Sequence, residues 1–240
     1  MGRRRSLVVF LLALMALLSL GIVAERYSAF DDTDQMVRGF EDRLMFYLMK
    51  GLVFEHHLPR DNGGYRSPDT SSVAYILGGR QASLMVQFQN IGRLYAEGAI
   101  RNVLVLHRPG LTEYSPALGR NFSNDKWATG KLKEEGVPAE NVEFILVPPA
   151  PFDTFAEARG ISALARSRRL KRLVLVSSMH HTKRVWISFS HFNVDNAFES
   201  YTYGSEEGTG IFELLMENLK LRLYRHIVLP LDRLRDYFPE

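Results

Sequence analysis

Arg172-Leu173-Val174-Leu175-Val176-Ser177-Ser178-Met179-His180-His181-Thr182-Lys183-Arg184 decides the fold. Five apolar residues rich in Val and Leu are the pattern of a parallel strand covered on both faces, and the two serines after them suit the first turn or cap of a following helix. A strand that runs directly into a helix opens a polar site at its carboxyl end. His181 and Arg184 are three residues apart and share a helical face, while His180 is rotated away by about 100°. An imidazole and a guanidinium beside the N–H groups of a helix start suit a phosphate or carboxylate. The same residues also suit an ordinary solvated first turn, so alone they form a weak motif.

Upstream, strand and helix patterns alternate. Val73–Leu77 reads as a strand ended by Gly78-Gly79-Arg80, and a helix over Gln81–Glu97 follows with Leu84, Phe88, Ile91 and Leu94 on its inner face. Asn102–Leu106 is a second strand, and His107-Arg108-Pro109-Gly110 with a polar loop to Phe122 leads to a helix over Asn124–Glu135, closed by Gly136. Val142–Val147 is the third strand, and a helix over Thr154–Ser167 precedes the fourth, which is the stretch quoted above. This predicts an α/β fold with a doubly wound, mainly parallel sheet. Asp195–Tyr203 fits a last strand, and Ile211–Leu229 fits an amphipathic helix packed through Leu215, Leu219, Tyr224 and Ile227 and kinked or ended by Pro230.

Such sheets bind ligands outside the carboxyl ends of their strands. That rule gathers Gly78, Gly79 and Arg80, then His107 and Arg108, then Asp153 and Thr154, and finally Ser177, Ser178, His181 and Arg184 on one edge. Arg184 and Arg108 are the candidate anion clamps, His181 the candidate acid or base, and Asp153 its partner. Thr154 and Glu157 fit a capping box, which gives Glu157 a structural duty and leaves Asp153 as the acid to watch. The two glycines allow close backbone approach but do not make the dinucleotide fingerprint, and no motif names a cofactor. Ser123 and Lys126 have a serine-acylase spacing without its companion motifs, and Ser123 is well placed as a helix cap.

The 240 residues fit one ordinary domain plus an appendage. A hydrophobic share of 46% with 24% charged residues is globular, and a net charge of +3 gives no case for nucleic acid. Without cysteine there is neither a disulfide nor a thiolate metal site, and His56-His57 lack a third ligand in register, so no metal site is expected. The basic run Arg166 to Arg172 lies at the opposite sheet edge, as solvated charge or as a contact for anionic lipid.

Arg3-Arg4-Arg5 precedes Leu7–Ala24, a run without charge. Eighteen residues make about 27 Å of helix, enough for a short transmembrane span, and the arginines orient residues from Glu25 onward outside the cytoplasm. A cleaved signal peptide is the rival, with Ala24 before the cut. The expected organisation is a signal anchor over 1–24, a helical and loop connection over 25–72 that includes a helix from Phe30 to Phe54, and an α/β domain over 73–240.

Val176-Ser177-Ser178-Met179-His180-His181-Thr182-Lys183-Arg184, with Leu77-Gly78-Gly79, Leu94-Tyr95-x-x-Gly98, Leu132-x-x-x-Gly136-Val137-Pro138 and Thr154-Phe155, resembles the YdcF-like superfamily of bacterial envelope-associated domains. The resemblance covers about Val73 to Phe192. It implies a Rossmann-like fold and, for an anchored member, a place in the inner membrane with the domain on the periplasmic side and a role in envelope or peptidoglycan-precursor homeostasis without a settled reaction. Gln87 stands where the family commonly has Arg, His107-Arg108 where it has Ser-Gly, Asn124 beside Asp125 where it has an acid, and Ala156-Glu157 where it has Glu-Asn. Two function classes follow. One is a domain that binds or processes an anionic, phosphate-bearing small molecule or lipid-linked envelope intermediate. The other is a non-catalytic sensor or scaffold, and fold analogy adds a nucleotide or S-adenosylmethionine ligand as a third.

Overall fold

The computed structural model describes residues 31–61, 64–65, 72–116, 119–148 and 152–235. The expected span over 7–24 lies outside the described residues, and among these no helix is long and apolar enough to cross a membrane. The chain divides into two compact units, Met1–Tyr47 and Leu48–Glu240, and the α/β fold belongs to the second. Segment 48–72 is therefore part of that unit. Helix α1 spans Asp31–Leu52, and Leu52 is buried.

Two-residue strands β1 (Arg60–Asp61) and β2 (Gly64–Tyr65) precede the main sheet. The sheet then forms from β3 (Ser72–Ile76), β4 (Asn102–Leu106), β7 (Val142–Ile145), β8 (Arg172–Ser178) and β9 (Glu199–Ser205), all parallel, in the order β7-β4-β3-β8-β9. The chain winds outward from β3 to β7, returns to the other side of β3 with β8, and ends at β9. The order reverses between β3 and β8, so the crevice for a ligand lies there in this Rossmann-like topology. Helices α2 (Gln81–Ala96), α3 (Asn124–Glu134), α4 (Asp153–Ser167) and α5 (Thr182–Phe192) connect the strands.

Strand period explains why both faces are dry. Ala74 and Ile76 of β3 join Val103, Val105, Val174 and Val176 in the cluster that includes Phe88, Ile91 and Leu94 of α2. Val73, Tyr75 and Leu77 point the other way, joining Leu104, Leu173 and Leu175 against Ala158, Ile161, Val185 and Phe189 of α4 and α5. The edge of β9 is covered by chain rather than left open. His56 exchanges backbone bonds with Thr202, Tyr203 Oη accepts from Leu58 N–H at 3.0 Å, and Glu55 accepts from Gly204 N–H at 2.8 Å.

The segment expected as polar loop before α3 holds a hairpin, β5 (Leu111–Ser115) with β6 (Arg120–Ser123). Ser123 caps α3 through Lys126 N–H, and Gly136 closes it at φ +85°. The basic run at the far edge is largely paired: Arg168 grips Glu143 through two bonds of 2.6 Å and Arg172 meets Glu199 at 3.3 Å.

The C-terminal helix is not continuous. It comprises α6 (Ile211–Leu223), a π turn over Tyr224–Val228, and α7 (Leu229–Arg235). Pro230 lacks an N–H and its ring crowds the carbonyl four residues back, and the wider turn in front of it absorbs both. The buried face is Leu214, Glu217, Leu221, Tyr224 and Val228, while Leu219 and Ile227 are exposed.

Candidate functional site

The four expected segments all lie at the carboxyl edge, where they form two linked clusters. At β3, pairing with β8 continues past the strand through Leu77 N–H to Val176 O at 3.0 Å. Gln87, buried on α2, bridges the same strand ends when its amide nitrogen faces the Leu77 and Val176 carbonyls at 3.2 and 3.0 Å. The next backbone N–H, of Gly78, turns away and donates to Glu157 Oε2 at 3.2 Å, which also accepts from Tyr75 Oη at 2.8 Å. Glu157 is therefore no capping-box residue. Phe152 holds the cap position of α4 without a side-chain bond, and Glu157 points into the sheet edge. Burial pushes its carboxyl up, against the bonds from Tyr75 and Gly78 and the charge of Arg108. Burial and the facing carboxylate push the Tyr75 phenol well above its ordinary range.

Arg108 lies across Gly78. A Cβ there would run into the guanidinium and come within 3.1 Å of Glu157 Oε1, so glycine is what lets Arg108 lie in this position. Arg108 is held loosely, 4.0 Å from Glu157, and its side chain is 44% exposed. Its backbone is fixed more firmly. Asn124 at the start of α3 donates to the carbonyls of Arg108 and Pro109 at 3.1 and 3.2 Å, and its own N–H donates to Gly110 O, with Gly110 at φ +131°. The neighbouring Asp125 takes His107 Nδ1 at 2.6 Å, leaving Nε2 as the other nitrogen of a 40% exposed ring. Arg80 caps nothing, is highly exposed, and pairs with Glu213 at 3.0 Å. Helix α2 accordingly starts beside Gly79 and Arg108 without a side-chain cap or an acidic residue in its first turn.

The second cluster surrounds Arg184, which is buried and engaged on every side. Its guanidinium forks onto Glu217 of α6, with Nε to Oε1 and Nη2 to Oε2, donates to Thr154 Oγ1, and lies over the Tyr224 ring at 5.3 Å. His181 stands beside it as the three-residue spacing requires, with Nδ1 at 2.9 Å from Glu217 Oε2 and 3.2 Å from Arg184 Nη2. The carboxylate is the natural acceptor for that ring N–H. Glu217 burial raises its carboxyl, but the His181 bond and the Arg184 charge outweigh this and hold it down at about 2.

Several assignments change as a result. The partner of His181 is Glu217, while Asp153 stands exposed on the first turn of α4. Thr154 serves Arg184 directly, and the anion that Arg184 meets is the chain's own carboxylate. Ser177 and Ser178 are buried at the end of β8. Met179–His181 forms a 3-10 turn, in which the buried His180 meets Thr209 Oγ1 at 3.2 Å and is pushed below the ordinary imidazole range by burial and by His181. Glu217 was hidden in the sequence by the rule that glutamates face solvent. The available signal was a charged residue inside the 214, 217, 221, 224 stripe, since a buried charge requires a partner.

A separate cleft of about 670 Å³ opens on the α2 side of the β8 and β9 ends, lined in part by Glu55, His57, Asn90, Arg93, Met179 and Tyr203. It mixes both signs of charge. Among the described residues no group of three or more His, Asp or Glu side chains has metal-holding geometry. Neither the family models nor the curated proteins give a match to this chain.

Proposed function

We propose that this chain is a membrane-anchored, extracytoplasmic YdcF-like domain that binds a small phosphate-bearing molecule, free or lipid-linked, at the β3 side of the switch-point crevice, in the service of envelope homeostasis. The observation that carries the ligand assignment is Arg108, half exposed across Gly78, only loosely balanced by Glu157 and set beside the uncapped start of α2. A guanidinium near a helix start that has no side-chain cap, where glycine permits close approach, supplies what a phosphate requires. Sequence similarity to the family's Ser-x-x-His-x-x-Arg segment and the Arg-flanked apolar run over 7–24 support the envelope and membrane parts.

Binding without turnover is the form the geometry favours. His181 and Arg184 are tied into a buried network around Glu217, so both are committed to the chain's own carboxylate. The His107–Asp125 pair, beside Arg108, is the place where proton transfer to a bound ligand is geometrically possible. The test is mass spectrometry of small molecules extracted from the purified full-length protein, followed by calorimetric titration with inorganic phosphate and with the identified species. A phosphate-bearing species lost from Arg108→Gln supports the proposal. A ligand without an acidic group, or equal retention by the variant, overturns it.

A further inference from the structure

Helix α6 has two apolar faces. The inward one, Leu214, Leu221 and Tyr224, packs on the domain. On the opposite side Phe212 is 65% exposed, Met216 37% and Leu219 36%, and the row continues past the π turn with Ile227 at 49% and Leu231 at 59%. Spacings of four, three, four, four and four residues, counting Leu223 between Leu219 and Ile227, put these side chains in one row. The wider turn over Tyr224–Val228 keeps the four-residue steps aligned where a regular helix would let them drift. A row of large apolar side chains this long on a soluble surface marks a contact site.

The flanks identify what covers it. Arg222, Arg225 and Arg233 are exposed along the same helices, as is Lys220, which reaches back to Glu217 at 3.8 Å. The acids on these helices among the described residues are engaged: Glu213 by Arg80, Glu217 by Arg184, His181 and Lys220, and Asp232 by Arg159 and by His191 at 3.0 Å. An exposed apolar stripe on helices that also carry exposed basic side chains, anchored to the domain by the opposite face, has the chemistry of an element lying in a bilayer interface. We infer that the outward face of α6 and α7 rests on an anionic lipid surface, seating the domain on the membrane to which its N-terminal run tethers it. This inference rests on the membrane assignment of the preceding subsection.

The chain has no cysteine, so Phe212→Cys, Leu219→Cys and, as a control, Lys133→Cys on α3 each accept one fluorophore. Each labelled full-length protein is reconstituted into vesicles of phosphatidylcholine with or without phosphatidylglycerol, and flotation is measured beside quenching by lipid-borne spin labels and by aqueous iodide. Docking predicts that labels at 212 and 219 shift to the blue and lose most of their emission to the lipid quencher in anionic vesicles, while the label at 133 responds only to iodide. Arg225→Glu and high salt should each restore iodide access at 219. Floating protein whose labels at 212 and 219 remain open to iodide overturns the docking and leaves the anchor standing. Protein that does not float removes both. Protection from iodide without lipid quenching means that residues 1–30 or a second copy covers the stripe, which also overturns the inference.

Discussion

Replacing Glu217 with Gln keeps the shape of the buried cluster and removes its charge. The carboxyl is held at about 2 against 4.5 for an ordinary glutamate, and its side chain is 1% exposed, so solvent screening is small. A folded value below the unfolded one means that the native state binds this proton less tightly than the unfolded chain does. The contribution is therefore fully present above pH 4.5 and is lost as pH falls toward 2. At about 1.4 kcal/mol per pH unit it amounts to about 3 kcal/mol. In Glu217→Gln the Arg184 charge stays buried with a neutral partner, a loss of about 3–5 kcal/mol for a broken buried pair. For a chain of this size that lowers the midpoint of thermal unfolding by about 6–20 °C. The assay is unfolding of the detergent-solubilised protein at neutral pH and across pH 5 to 2.5, followed by tryptophan fluorescence. Glu143 and Glu199 are also held low, chiefly by bonds from Arg168 and Tyr201, so the acid loss due to Glu217 is read as the difference between wild type and variant. Removing both charges with Arg184→Met and Glu217→Leu should recover most of the loss. A Glu217→Gln protein within about 1 kcal/mol of wild type at pH 7, or one with the same acid profile, refutes the reasoning.

The other glutamate has the opposite sign. Burial raises Glu157 above 4.5, so it withdraws stability as pH rises through that value, and Glu157→Gln, which can still accept from Tyr75 and Gly78, should flatten this fall in a pH series of chemical denaturation. Arg108→Gln should weaken phosphate-ligand binding about ten- to a hundredfold with little change in unfolding midpoint, since the side chain is half exposed. Gly78→Ala should weaken ligand binding more than it lowers stability, because the added methyl displaces the end of a flexible side chain; calorimetry and thermal unfolding on one preparation separate the two effects. Gly110→Ala should destabilise by about 1–3 kcal/mol through its backbone at φ +131°, measurable by the same unfolding assay.

Strands β3, β4 and β8 were legible because they are buried on both faces and read as nearly unbroken apolar runs. Asn102–Leu106 is matched residue for residue, and Arg172–Ser178 extends only slightly beyond its apolar part. The β5–β6 hairpin was not, since Leu111-Thr112-Glu113-Tyr114-Ser115 is half polar and its turn carries no strong pair of turn residues. The inward face of α6 was misplaced for the reverse reason: apolar residues surround the helix, so no single stripe stands out. At the site, backbone elements were placed by period and glycine, but the partners of long charged side chains were not. Arg184 and Glu217 are 33 positions apart, and His107 meets Asp125 across a hairpin, so only the fold brings each pair together.

Charge across the crevice is uneven for a reason built into these pairings. On the β8 side the positive charges of Arg184 and Lys220 face a fully ionised Glu217, with Lys220 at 3.8 Å, and a second anion would have to compete with a carboxylate already held by a two-point fork. On the β3 side Arg108 faces Glu157, an acid that burial makes reluctant to ionise and that is already committed to Tyr75 and the Gly78 N–H. Within the crevice, positive potential is thus cancelled around Glu217 and left partly uncompensated beside α2. Under the proposed function a phosphate is expected on the β3 side, where its charge would also favour the protonated form of Glu157. Ligand binding and protonation at this edge are therefore expected to be linked: affinity should rise as pH falls toward the range in which Glu157 takes up its proton, until the phosphate itself loses charge, which calorimetric titration across pH measures.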